Sequence, residues 1–441
     1  MTYKRTQSIA KSIALAILLP CVVLANECQQ READVKVSST KALQHALKYA
    51  DAGSLILLQE GVYQGEFIID KSMHLVGEHA MLDAHSKGSA ITITASHVSL
   101  CGLRIQSWGN DLYQQNAAIN VKPDAEQVVI KYNQLQGSGF GIYAEKTRDI
   151  VVHNNHITGD GNVFMLDRGD GVHLLRVENP IVTENQIRHV RDGVYLESGS
   201  GSQVDRNQFV SMQYGIHYMY TQEDRAKANH AKQVQGGYAL MNSNDIELVA
   251  NHVAQATEFG VLLNMTNRAV IRANHIYQTY PSQLNALSAA NSDLFTQAKG
   301  VFIYGAQHNQ VVNNYIGHNE VGIVMALGGE NNQVYGNQFI ANQTQVKYVG
   351  DTSVEWSNEQ SGNYWSDYQG WDVNGDGIGQ SRYVANDRLD RVFWIYPEAS
   401  FLMGSPVVAL LKWIDSQFQQ HQSSGVIDSF PLINPPLLGS E

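Results

Sequence analysis

Charge is scarce in this chain, and so are the residues that staple or punctuate small domains. Of 441 residues only 16% are charged, three are cysteine and nine are proline. Three cysteines are too few for a disulfide-stapled scaffold. Positive charge is the thinner side: 30 Lys and Arg stand against 42 Asp and Glu, a formal net charge of −12. No basic run exists, which excludes a nucleic-acid surface. After residue 25 no apolar run approaches the roughly 18 residues that cross a bilayer, so any membrane association runs through a partner. Ahead of that point Lys4, Arg5 and Lys11 precede an apolar stretch from Ile13 to Leu24 that closes on Val23-Leu24-Ala25. A charged start, a short apolar middle and a small-x-small end predict a cleaved export signal over residues 1–25. Export permits a disulfide between Cys28 and Cys101, although their spacing does not establish one.

A beat is present instead. Asn followed two residues later by an apolar residue, mostly aliphatic, recurs at Asn133, Asn155, Asn185, Asn207, Asn229, Asn251, Asn274, Asn314 and Asn337, with spacings of 22, 30, 22, 22, 22, 23, 40 and 23. In phase with it run Gly141, Gly171, Gly193, Gly215, Gly237, Gly260, Gly300 and Gly322, each before an apolar residue. A fixed period near 20 residues marks a solenoid. The segments between punctuation alternate with period two rather than 3.6. Three short strands plus turns account for one repeat, so the expected fold is all-β, a right-handed parallel β-helix over residues 54–349 with about a dozen coils. Asn and Gly are expected at its corners, where they tolerate unusual backbone angles. Residues 26–53 form an N-terminal segment, loose up to residue 38, followed by a capping helix that starts at Ser39-Thr40 and carries Leu43, Ala46, Leu47 and Ala50 on one face. Residues 350–441 form a C-terminal segment with a helix from Ser405 to Phe418. Three insertions fall at one corner, near residues 107–117, 158–169 and 277–298; they project from one edge, which in solenoids is often the binding face, with neutral decoration as the alternative.

Alternation after the ladder glycines puts Val172, Val194, Ile216, Tyr238 and Val261 inside. His173, Tyr195, His217, Ala239 and Leu262 then point outward, and two residues on so do Glu197, Met219, Met241 and Asn264. His217 and Met219 are about 7 Å apart along one strand, with Met241 about 5 Å away on the next rung. Thioether and imidazole suit soft Cu(I), which makes His217, Met219 and Met241 candidates for a copper relay, with His173 and Met165 as further members. Packing beneath a loop or partner is the alternative use of the same side chains. Asp372-Val-Asn374-Gly-Asp376-Gly-Ile378 matches the first half of an EF-hand loop, and Tyr383 stands where the closing acid belongs; a structural Ca²⁺ half-site is expected there. Paired carboxylates for sugar cleavage have one crowded neighbourhood, Asp167, Asp170 and Asp192. Trp394, Trp413 and Phe418 are candidates for docking a membrane partner.

Several phrases together resemble the NosD family: Gly169-Asp-Gly-Val-His-Leu174, Arg191-Asp-Gly-Val-Tyr-Leu196, Tyr214-Gly-Ile-His-Tyr-Met-Tyr220, Gly362-Asn-Tyr-Trp-Ser-Asp-Tyr368 and Trp394-Ile-Tyr-Pro397. The resemblance covers essentially all of the chain after the export signal. It implies a non-enzymatic periplasmic accessory protein of an ABC-type complex, held at the inner membrane by a permease with its ATPase subunit. Such a protein accepts copper from a donor lipoprotein and delivers it to apo nitrous oxide reductase, an enzyme of denitrification. A β-helical polysaccharide lyase or epimerase, or a metal-free scaffold for reductase and permease, remain the competing readings.

Overall fold

The computed structural model describes residue 28 and residues 31–282, 297–329, 331–350, 352–385, 402, 405–411 and 425–437. The expected export signal and Trp394, Trp413 and Phe418 lie outside these residues. The protein is an all-β parallel solenoid of about 14 turns, only 6% helical. It divides into two compact units, residues 1–190 and 191–441.

In the first unit a rung consists of strands Val129–Lys131, Gln134–Gln136 and Phe140–Arg148, one in each of three parallel sheets. Register turns the repeat into columns. Ile130 pairs with Leu100 and Val152, Leu135 with Ile105 and Ile157, and Ile142 with Ile119 and Val172. All nine are buried, each side chain contributing about 1.5–3 kcal/mol. The second unit repeats the scheme with Ala226, Leu248 and Ile271 in the first sheet and Ile216, Tyr238 and Val261 in the third.

The asparagine ladder is a chain of carboxamides. Asn155 Oδ1 accepts the Asn133 amide at 3.0 Å, and Asn155 Nδ2 donates to the Ile130 carbonyl at 2.9 Å. The same pattern runs from Asn207 through Asn229, Asn251, Asn274 and Asn314 to Asn337. It then reaches Asn363, in a rung whose Tyr364–Trp365 strand pairs with Gln338–Ile340. Asp428 ends the column, its Oδ2 accepting from Asn363 N at 2.7 Å and Trp365 Nε1 at 2.8 Å. Each buried corner amide is thus satisfied by the next rung.

The ladder glycines and ladder asparagines do not serve the reason expected from the sequence. Left-handed backbone falls on the residue before the ladder Asn, at Asn154 and Asn313 but also at Ala228, Ala250 and Ala273, with φ between 50° and 55°. The ladder glycines lie in the third-sheet strands without positive φ. Close approach dictates them: a Cβ on Gly237 would sit 2.4 Å from the Gly260 carbonyl oxygen and 2.5 Å from Val253 Cγ2.

The segment expected to be loose contains a strand, Val35–Val37, paired with Ile56–Leu58. The helix between those strands runs Thr40–Tyr49; Ser39 caps it by accepting the Ala42 amide at 3.3 Å, and Leu43, Ala46 and Leu47 are buried. Cys28 and Cys101 form a disulfide. It packs with Leu55, Leu57 and Val76 on the outer face of the first sheet. Near the C-terminus residues 406–411 are helical, and the Ser405 hydroxyl accepts the Val408 amide.

Inside the second unit Asp224 is buried and its Oδ1 accepts the Ser202 amide at 2.8 Å. Burial raises its carboxyl from the ordinary 3.8 to about 6. Because the folded value lies above the unfolded one, this group stabilises the fold fully below pH ~4, and that contribution is lost as pH rises through ~6. Asp224→Asn keeps an acceptor for Ser202 and removes the buried charge. It is expected to raise the melting temperature at pH 7 and flatten its slope between pH 4 and 6; thermal melts across that range check this.

Candidate functional site

The outer face of the third sheet in the second unit carries the candidate copper residues. Strand Tyr214–Met219 lies between Asp192–Glu197 and Gly236–Met241, so His217 pairs with Tyr195 and Ala239, and Met219 with Glu197 and Met241. The two methionines are neighbours one rung apart and share the face with His217, as the alternation required.

Exposure differs from the expectation. His217 is 9% exposed, and Met219 and Met241 are half-buried. The cause is a second apolar cluster on the outside of the sheet: Ala239, Phe259, Leu262, Phe302, Val321, Val324 and Ala326 are all buried, with Tyr214, Met241 and Tyr304 packed against them. The side chains that point away from the solenoid interior thus form a core of their own.

Within it His217 is held on one side. Its Nδ1 lies 3.1 Å from Asp192 Oδ2, and Asp192 Oδ1 accepts the Tyr214 amide at 3.2 Å. Tyr195 and Tyr214 meet the imidazole edge-on at 4.9 and 5.2 Å. A carboxylate only accepts, so Nδ1 carries the proton, and in the neutral tautomer Nε2 presents a lone pair. That Nε2 is buried and has no hydrogen-bond partner among the described residues. Leaving such an atom unsatisfied costs about 1–3 kcal/mol. A carboxylate holding Nδ1 while Nε2 stays open is the arrangement that orients a metal-ligating histidine.

His173 and Met165 belong to the first unit. His173 Nδ1 lies 2.7 Å from the buried Asp170 Oδ2, and the ring stacks on Tyr143 with centroids 4.9 Å apart. Met165 opens a short 3-10 turn, Met165–Asp167, none of whose residues is buried. Of the acids considered for sugar chemistry, Asp167 is exposed in that turn, while Asp170 and Asp192 each hold an imidazole. Among the described residues no group of three or more His, Cys, Asp or Glu converges on a metal position. A His, Met, Met set lies outside that description because thioethers supply two of its three donors.

The Asp372 loop is an exposed turn. Asp372 Oδ1 accepts from the amides of Gly375 and Asp376, Oδ2 from Gly377, and Asp376 accepts from Ile378 N and Asn374 Nδ2. The described insertions each join a second-sheet strand to a third-sheet strand: residues 109–116 follow Arg104–Trp108, and residues 159–171 follow His156–Thr158. Phe164, Leu166 and Tyr113 stand exposed on them. Asp192 is the residue whose role as histidine anchor the sequence did not announce. Its signal is positional: it directly precedes a ladder glycine, one rung below His217.

A family model described as "Periplasmic copper-binding protein (NosD)" matches residues 153–370. The chain is 41% identical over 380 residues to the "Probable ABC transporter binding protein NosD" of Stutzerimonas stutzeri, covering 86% of each chain. The chain belongs to the NosD family. It is also 41% identical over 388 residues to the protein of the same name from Pseudomonas aeruginosa PAO1, covering 88% of this chain and 90% of that one. These relatives carry the name of binding proteins rather than of enzymes. Among solved structures, the mannuronan C-5 epimerase AlgE6 A-module of Azotobacter vinelandii aligns with TM-score 0.56 at 14% identity, over 70% of this chain and 92% of that one. The Dettilon tailspike aligns at 0.55 and 12%, over 71% and 64%. At such identities the likeness is one of fold. No helix among the described residues of this NosD-family chain is long and apolar enough to cross a membrane.

The Asp192 anchor generates a test. Asp192→Asn keeps an acceptor for Tyr214 but frees the tautomer of His217, and loss of such a partner typically costs 10–100-fold in metal affinity. Chelator competition with Cu(I) is expected to show a loss in that range at unchanged melting temperature.

Proposed function

We propose that this NosD-family protein is a non-catalytic periplasmic carrier that takes Cu(I) at His217, Met219 and Met241 and passes it to apo nitrous oxide reductase. Its expected partners are a copper-donor lipoprotein and the permease and ATPase subunit of an ABC-type complex, through which it associates with the inner membrane. The observation that carries this reading is the buried, unpartnered Nε2 of His217, anchored through Nδ1 by Asp192 and flanked on one sheet face by two thioethers. One imidazole and two thioethers form a neutral, soft ligand set that suits Cu(I) and discriminates against Mg²⁺ and Ca²⁺. Two thioethers with partial access from solvent beside one buried imidazole favour transfer over retention. The copper-binding description of the family supports the cargo, and the printed names of the relatives support the transporter association.

The decisive variant is Met219→Ala with Met241→Ala. Reductase isolated from a strain carrying it is expected to be copper-depleted at least tenfold while the variant itself accumulates folded. Full copper loading in that strain contradicts the site.

Two further assignments accompany this reading. The Asp372, Asn374, Asp376 and Ile378 turn is proposed to take a structural Ca²⁺, with carboxylates now engaged by backbone amides turning to the ion. Addition of millimolar Ca²⁺ to chelator-treated protein is expected to raise the melting temperature, and Asp372→Ala to abolish the rise; equal melts with and without Ca²⁺ discard the assignment. Trp394, Trp413 and Phe418 are proposed as the docking surface for the permease.

A further inference from the structure

A column of histidines on another face of the second unit takes no part in the site above. His230, His252 and His275 occupy equivalent positions on successive second-sheet strands. Their ring centroids are 4.6 and 5.5 Å apart, the first pair nearly parallel at 12°. Tyr315 stacks on His275 from the next rung at 4.1 Å, and Tyr277 meets it edge-on at 5.0 Å. His230 and His252 are exposed and His275 is half-buried. Nδ1 of His275 is buried without a hydrogen-bond partner among the described residues.

We infer that this column is a second, chemically distinct metal site, which takes a divalent ion of the imidazole-preferring class, such as Cu(II), between His252 and a neighbouring histidine. Equivalent positions on adjacent rungs are about 4.8 Å apart, and a metal bound by two imidazoles stands about 2 Å from each nitrogen. The stacked rings do not converge as they stand, in keeping with the absence of a ready-made cluster. The exposed His252 ring can turn about its two side-chain torsions toward the half-buried His275, and water fills the remaining positions. Metal binds the neutral form of an imidazole. Lys232 shares the face at the rung of His230, so the pair His252 and His275 lies farther from fixed positive charge. With no thioether in the column, the ligand set suits a borderline ion rather than Cu(I), which separates this site from the methionine pair.

The test is a Cu(II) titration of the full mature protein, followed by electron paramagnetic resonance, on the wild type, His252→Gln and the Met219→Ala, Met241→Ala double variant. The expected result is one Cu(II) with at least two imidazole nitrogens in the wild type and in the double methionine variant, and an affinity at least tenfold lower in His252→Gln. Wild-type affinity and spectrum in His252→Gln would make the column a stacking ladder and overturn the inference, as would a wild-type spectrum without imidazole nitrogen. Should His252→Gln fail to fold, paramagnetic broadening of wild-type histidine resonances by substoichiometric Cu(II) decides: broadening at His230, His252 and His275 supports the site, and broadening elsewhere removes it. Cu(I) affinity of the double methionine variant is read separately, so either site can fail without the other.

Discussion

Everything in this molecule depends on register. The carboxamide of each ladder asparagine accepts the amide of the asparagine one rung before and donates to a carbonyl of that rung, which fixes the stacking to a single alignment. A slip of one residue would break that chain and turn every Ile and Val column toward the wrong face. Once register is fixed, residues 22 apart in sequence become neighbours, and the repeat writes columns of chemistry on the outside as well as the inside. His217 above Tyr195, Met241 beside Met219, and the stack of His230, His252 and His275 all follow from it.

The proposed copper residues sit where this regularity meets an irregular requirement. An outer sheet face would ordinarily be wet, and wet thioethers bind little. Here the face carries its own apolar cluster from Ala239 to Ala326, so His217 is desolvated while Met219 and Met241 keep partial access. Low local dielectric makes the open Nε2 costly, and a cation supplied to it relieves that cost. The same device, an aspartate on Nδ1, recurs at Asp170 and His173 in the first unit. There aromatic stacking on Tyr143 replaces the thioether neighbours.

Much of the fold was legible because the signals were local or periodic. The Asn beat located the corners, alternation sorted Val194 and Ile216 from Tyr195 and His217, and Ser39 marked the helix start. The two described insertions, near residues 107–117 and 158–169, were legible from spacing alone, and most of the third lies outside the described residues. Other features were not. Burial of the outer third-sheet face depends on contacts that no repeat encodes, so the ligands looked exposed. The rung at Asn363 escaped because Tyr364 and Trp365 stand where the pattern has a polar residue and an aliphatic one. The ladder glycines were credited with unusual φ, whereas the next rung's carbonyls exclude a Cβ. The second-sheet histidines follow Asn229, Asn251 and Asn274 directly in sequence, and only the register of successive rungs makes a column of them.

Copper K-edge X-ray absorption on the full mature protein loaded with one equivalent of Cu(I) interrogates the central site most directly. One imidazole nitrogen and two sulfur scatterers around the metal are the expected first shell, since His217, Met219 and Met241 are the donors placed together. A shell of nitrogen and oxygen alone would contradict a thioether site and leave the buried Nε2 of His217 without its proposed cargo.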